Sequence, residues 1–335
     1  MSFRGSFPPE LFSRNKNRKM FKYIAGRVAA MLITLYVITS ISFFIVRLMP
    51  MKIFDHPDVP PEVVKILEAQ MHLDKPLLVQ YGYFIKGIVI DGDWGISAKI
   101  RPKMPVFDVI AARIPISMLI NILSLVISLP IGIVAGTVAA LKRNKLPDHV
   151  ISFLVVLFIS IPSFVFATMM QYSFSFVFKI FPTIYNPTAS TLRDLAMSIT
   201  LPVIALALGP IATVARYLRG ELIETMSSEF LLLARTKGLT QRQAIVRHAF
   251  RNSCVPLVNI IVPMFTGILG GSLVIEAIFA IPGLGGMLVN SINAGDHPLT
   301  IALLIFYSII SLLTILIMDI IYGILDPRIK MGGRK

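Results

Sequence analysis

Long apolar stretches without a single charge recur along this chain. Windows free of Asp, Glu, Lys and Arg cover residues 28–46, 114–141, 149–178, 195–215, 252–275 and 297–318. Crossing roughly 30 Å of hydrocarbon takes about 20 helical residues, and an open sheet cannot satisfy its backbone in lipid. The pattern therefore predicts an all-α, polytopic membrane protein with six transmembrane helices, at about 24–47, 114–141, 149–178, 195–215, 252–281 and 297–322. A seventh charge-free window, 277–295, is interrupted by Pro282, Gly283, Gly285 and Gly286 and turns polar at Asn290, Ser291 and Asn293. Its start is read as the end of the fifth span and its remainder as a loop.

Between the spans lie two informative segments. Residues 48–113 are long for a connection and predict structure of their own. Pro60 and Pro61 followed by Glu62 mark a helix start. Val63, Ile66, Leu67, Ala69 and Gln70 carry that helix to His72, where Lys75 and Pro76 stop it. A second helix runs from Leu77 to about Ile90 and ends at the turn of Asp91, Gly92, Asp93, Trp94 and Gly95. Trp94 suits either a membrane interface or a small core within the loop. The other segment is 216–251. Ser227 or Ser228 is placed to cap a helix with Glu229 in its first turn and Arg235 and Lys237 in its last. Gly238 then supplies the left-handed residue that ends it. Phe230, Leu233 and Ala234 share one face. Thr240 and Gln243 form a capping box that opens a second helix, which carries Arg247 and Arg251 and runs into the fifth span at Pro256.

Charge fixes the expected orientation. Hydrophobic residues make up 55% of the 335, charged ones 15%, and the net charge is +14; a soluble chain carries about a quarter charged residues. Segments 1–22, 142–148, 216–251 and 323–335 together hold 20 basic against 6 acidic residues. Segments 48–113, 179–194 and 276–296 hold 10 against 11. The whole excess falls on one face, which the positive-inside rule makes cytoplasmic, with both termini there. The basic tail 1–22, with Arg14, Lys16, Arg18, Lys19 and Lys22, is a topology signal that also suits anionic headgroups. The first span is expected to be a retained anchor.

Several chemistries have no signature. There is no phosphate loop of the G-x-x-x-x-G-K-[ST] type and no nucleophile elbow. The five histidines are scattered, so no metal site is expected. Asp319 is the one carboxylate clearly inside a span, and it is expected near the interface, paired with a cytoplasmic base. An ion-driven carrier and a membrane enzyme are accordingly disfavoured.

The stretch FLLLARTKGLTQRQAIVRHAFRNSCVP, residues 230–256, resembles the EAA coupling loop of ABC importer permeases, closest to the first (B-type) permease subunit of the dipeptide/oligopeptide/nickel group. Ala234, Gly238 and Pro256 match that motif. Its glutamate and first alanine fall at Leu232 and Leu233, where this chain departs from it. The resemblance extends to Leu73 through Leu77 with Gln80 and Tyr81, to Gly92, Asp93, Gly95, Ile96 and Ser97, and to Arg113, Ile114 and Pro115. It continues through Ile275 and Glu276 to Pro282, Gly283, Leu284 and Gly285, then Asp319 to Tyr322 and Asp326 to Arg328.

The resemblance implies a type I ABC importer permease fold and half of an alternating-access pathway for oligopeptides or dipeptides. It implies a paralogous second permease, two ABC ATPase subunits and an extracytoplasmic substrate-binding protein as partners. No cofactor is expected in this chain, since ATP and Mg would be bound by the ATPases. Coupling to them is expected through Phe230, Leu233, Ala234, Arg235, Lys237, Gly238, Thr240 and Gln243. Nickel or another small solute is the alternative cargo, and a stand-alone secondary carrier the alternative mechanism.

For the pathway, Ser163, Asn259, Thr266 and Ser272 are the candidates, although small polar residues also serve close helix packing. Asn259 and Thr266 lie two helical turns apart on one face. Asp93, Trp94 and Asn293 are the candidate contacts to the binding protein or the partner permease. Their alternative role is to lid the pathway.

Overall fold

The computed structural model describes residues 9–49, 61–270 and 272–325, and among them there is no β-strand. Side chains are described for fewer: those of Leu67, Gln70 and Thr266 lie outside the described residues, as do Pro60 and the segment Asp326 to Arg328. The chain forms two compact units, residues 50–303 and a smaller one of 1–49 with 304–335.

In the smaller unit, α1 (Pro9–Leu48) is continuous through the basic tail into the first apolar window. Most of α14 (His297–Leu325) belongs to the same unit. Asp319 pairs there with Arg27 at 3.1 Å. The expected basic partner is therefore found, one residue before the first charge-free window. Pairing reduces the cost of a carboxylate within an apolar segment.

The larger unit starts with α2 (Pro61–Gln70) and α3 (Leu77–Lys86), the latter prolonged by a π-helical turn to Asp91. Gly92 ends it at φ +63°, as the turn residues require. Val63 and Ile66 of α2 are exposed, so the apolar face expected there is uncovered. A short helix, α4 (Val106–Ala111), follows an isolated bridge between Ile96 and Pro105.

Next come α5 (Ile114–Leu141), matching its apolar window, and α6 (Leu146–Ser160). The third window is not one helix. α6 breaks at Ile161–Pro162, and α7 (Ser163–Met170), with a π-helical continuation to Val177, leaves at 99°. Proline lacks the N–H that would bridge the break, and it pushes the preceding residue into extended backbone; Ile161 has φ −91° and ψ 125°.

The fourth window lies within α8 (Leu192–Met226), eleven residues longer at its basic end (226 against 215). The helix is capped by Thr191, whose Oγ1 accepts from Asp194 N at 3.1 Å. α8 is the centre of this unit, with 44% of its apolar window buried against 28% for the α5 window. It meets α5 so closely because Gly132 and Gly136 present no side chain. A Cβ on Gly136 would lie 2.7 Å from Ala215 O, and one on Gly132 2.8 Å from Val214 Cβ. Small residues spaced by four permit such backbone approach in lipid.

After α8 come α9 (Glu229–Thr236), α10 (Gln241–Ala244), a π-helical turn to Ala249 and α11 (Phe250–Gly270). α11 occupies the fifth window but does not reach residue 281. The helix restarts as α12 (Leu273–Ile278), and α13 (Gly285–Ala294) replaces the loop expected there. Among the described residues, four helices are long and apolar enough to span a membrane, or five when the bent α6–α7 pair counts as one.

Candidate functional site

The basic end of the larger unit carries a short helix, a glycine turn and a second helix. Gly238 has φ +93°, and a Cβ there would meet nothing within 4 Å, so the backbone alone demands glycine. Thr240 Oγ1 accepts from Gln243 N at 3.3 Å while Gln243 Oε1 accepts from Thr240 N at 3.1 Å, completing the reciprocal capping box. Ser228 occupies the N-cap position of α9, but its hydroxyl donates back to Thr225 O instead of capping.

This element is fastened on one side and free on the other. Leu231 is buried with Ala140, Leu222, Ala244 and Ala249, at the ends of α5 and α8. Phe230, Leu232 and Leu233 are exposed, with Arg235, Lys237 and Gly238 beside them; Ala234 is half-buried. Leu232 and Leu233, which stand where the motif has glutamate and alanine, thus extend an outward apolar ridge. Ser253 ties the start of α11 to the end of α8. Its buried hydroxyl lies 3.2 Å from Glu221 O and 3.0 Å from Thr225 Oγ1.

A buried carboxylate braces the same end. Asp148, 2% exposed, accepts from Arg219 Nε at 2.6 Å and Nη2 at 2.8 Å, and from Asn144 N at 2.9 Å. Bidentate geometry of this kind fixes orientation as well as adding energy. It locks the first turn of α6 to α8, shortly before the α9–α10 segment.

At the opposite end two further carboxylates close the fold. Glu276 on α12 accepts from Ser117 Oγ at 2.8 Å and Gly285 N at 2.7 Å, while Ser117 Oγ in turn accepts from Leu284 N at 2.8 Å. The Pro282–Gly285 turn is wrapped around this carboxylate so tightly that a Cβ on Gly283 would sit 2.5 Å from Glu276 Cδ. Asp296, fully buried, accepts from Ser97 Oγ at 2.6 Å and from the N–H groups of Ala98, Lys99 and Ile100 at 3.0–3.1 Å. It pins the 97–100 turn to the start of α14. A buried carboxylate is tolerable when its lone pairs are met in this way.

The remaining candidates are dispersed. Ser163 borders a cavity of about 260 Å³ between α6, α7 and α8. Asn259 is exposed on α11, and Ser272 is the N-cap residue of α12, its N–H 3.4 Å from Glu276 Oε1. No contact joins these three among the described residues. Asp93 closes its turn by accepting from Gly95 N at 2.8 Å; Trp94 is half-buried and Asn293 exposed on α13. Sequence reasoning did not identify Asp148, Arg219, Ser117 or Asp296 as structural centres. The partners are 71, 159 and 199 residues apart, and no local spacing announces them.

These features define a helical, multi-pass membrane protein whose basic end presents a capped, rigidly held apolar ridge. Residues 128–331 match the family described as binding-protein-dependent transport system inner membrane component, and residues 20–121 match the N-terminal region of such membrane components. The chain belongs to this family of bacterial inner-membrane permeases. It is 39% identical over 312 residues to the dipeptide transport system permease protein DppB of Lactococcus lactis subsp. cremoris, covering 93% of this chain and all of the relative. DppB of Bacillus subtilis is 38% identical over 313 residues, covering 93% and 99%. The oligopeptide transport system permease protein OppB of Haemophilus influenzae is 34% identical over 312 residues, covering 93% and 100%.

Proposed function

We propose that this chain is the first permease subunit of an ATP-driven importer of dipeptides or oligopeptides. It forms half of an alternating-access pathway and has no ATPase site of its own. The observation that carries the coupling role is the exposed ridge of Phe230, Leu232 and Leu233, set between a buried Leu231 and the left-handed Gly238. A rigid element with an apolar outer face suits a groove in an ATPase subunit, where movement on closure would pass through α9 and α10 into α8 and α11. Peptide cargo is supported by the names of the three relatives above, two dipeptide permeases and one oligopeptide permease.

The partners follow from that role: a paralogous permease, two ATPases that bind ATP and Mg, and an extracytoplasmic binding protein. The binding protein would meet the face bearing Asp93, Trp94 and Asn293. The one-sided basic excess supports cytoplasmic termini and a cytoplasmic position for 216–251.

The test is uptake by proteoliposomes holding this chain, its partner permease and the ATPases, with loaded binding protein outside. Labelled dipeptide should accumulate only with ATP and with all subunits present. Uptake by this chain alone, driven by an ion gradient, would replace the importer reading with a secondary carrier. Uptake of nickel but not peptide would replace the cargo.

A further inference from the structure

The face of the larger unit opposite the coupling element contains a cavity of about 550 Å³, within the size of small-ligand sites. Its lining includes Arg113, Glu276, Asn290, Leu273, Val274 and Met287. Three observations bear on what it takes.

The first is that Glu276 is already occupied. Its oxygens accept from Ser117 Oγ, Gly285 N and Ser272 N, so it braces the wall and has little left for a ligand. The second is that Arg113 is not occupied. It sits at the N-cap of α5, where its backbone N–H is used by Ile110 O, but its guanidinium makes no hydrogen bond or ion pair among the described residues. The charged groups near it are a second cation, Arg101, and the carboxylate of Glu276, whose oxygens are engaged by Ser117, Gly285 and Ser272. The third is that the exposed Asn290 amide also has no side-chain partner among the described residues, while Leu273 and Val274 present apolar surface.

The cavity thus offers one planar cation, one amide and apolar walls. We propose that it is a peptide subsite in which Arg113 receives the terminal carboxylate and Asn290 a neighbouring peptide group. A guanidinium matches a carboxylate with two parallel N–H donors. The terminal carboxylate is also the group that every peptide keeps whatever its side chains, so a pathway for varied cargo can hold it without selecting sequence. Leu273 and Val274, the exposed apolar residues of the lining, then meet side chains through dispersion alone, which is tolerant of shape. This inference rests on the peptide-import reading.

The test uses the solubilised complex of all permease and ATPase subunits without binding protein, so that loading does not intervene. A dipeptide bearing a benzophenone side chain is photolysed at millimolar concentration, as the free acid and as its C-terminal amide, and labelled residues are mapped by mass spectrometry. The free acid should label 273–290 in the native complex, with labelling by the amide about 10- to 100-fold weaker, the ratio expected for a charge-assisted hydrogen bond. R113Q should bring the free acid down to the amide level. R113K, which keeps the charge but not the fork, should fall between them.

Equal labelling by acid and amide, labelling indifferent to R113Q, or no labelling of 273–290 would overturn the proposal. So would loss of subunit copurification in both R113Q and R113K, which would make Arg113 an assembly contact. Dipeptide uptake by the native complex in proteoliposomes is measured in parallel. If that uptake is present while labelling fails, the subsite is wrong and the importer reading stands.

Discussion

Replacing Gly283 with alanine places a methyl group 2.5 Å from Glu276 Cδ, beside Ser117 Oγ, at a buried position of the turn. Carbon atoms do not approach so closely, and both neighbours are held. Ser117 donates to Glu276 at 2.8 Å and accepts from Leu284 N at 2.8 Å, and Gly285 N donates to the same carboxylate at 2.7 Å. Forced repacking costs about 1–3 kcal/mol, and each hydrogen bond to a charged group that is given up costs about 1.5–3 kcal/mol. Opening the turn enough to admit the methyl sacrifices at least one such bond, so the loss should be about 3–5 kcal/mol. Three residues on, Gly286 supplies a control. A Cβ there meets nothing nearer than Asn290 Nδ2 at 3.8 Å, and the residue lies in the first turn of α13. Alanine at 286 should be neutral, or stabilising by up to about 1 kcal/mol through helix propensity. The assay is thermal unfolding of the detergent-solubilised chain at one fixed scan rate. At about 2–4 °C per kcal/mol the G283A midpoint should fall by roughly 6–20 °C, while G286A stays within a few degrees. Equal shifts for the two would refute the account of Pro282–Gly285 as a turn wrapped on a carboxylate.

G238V should leave ATP hydrolysis by the assembled complex running while peptide uptake fails. Its cost is backbone strain of about 1–2 kcal/mol or more at φ +93°, with no clash; normal uptake would remove the coupling role. D148N should destabilise the chain by about 2–3 kcal/mol through loss of the charge-assisted pair with Arg219. A double-mutant cycle with R219M isolates that term, and a coupling energy near zero would show the pair to be idle. D296N should free the turn it holds, and amide exchange at Ala98, Lys99 and Ile100 should quicken about 10- to 100-fold with little change in α5; unchanged protection would mean that other contacts hold that turn.

What the sequence made legible was whatever is local. α5 matches its window because Pro115 and Lys142 bracket it, and the turn after α9 is as expected because Gly238, Thr240 and Gln243 act on their own neighbours. The bend within the third window was not foreseen, for a physical reason. Pro130, Pro202, Pro210, Pro256 and Pro263 all sit inside unbroken helices, so Pro162 carried no mark that it alone would end one. α13 looked like a loop because Asn290, Ser291 and Asn293 are polar, yet Ser291 is buried and accepts from Thr300 Oγ1 at 2.9 Å. The carboxylate braces were invisible because each joins segments far apart in the chain. In the candidate site, the helix–glycine–capping-box geometry at Gly238, Thr240 and Gln243 was nameable in advance. The outward ridge at Leu232 and Leu233 was not, because a departure from a motif does not say which way a side chain faces.

The right angle at Ile161–Pro162 has a bearing on the surrounding lipid. α6 has 15 residues and rises about 22 Å, short of the roughly 30 Å of a bilayer interior. The rest of that apolar segment runs at 99° to α6, anchored where Gln171 Nε2 donates to Thr183 O at 2.8 Å and Ile278 O at 3.0 Å. Where α6 stands along the bilayer normal, acyl chains beneath α7 would abut a ledge instead of a column. Membrane thickness would then weigh most on this one segment: a thicker bilayer would have to compress under the ledge, while the longer α5 and α8 could simply tilt less.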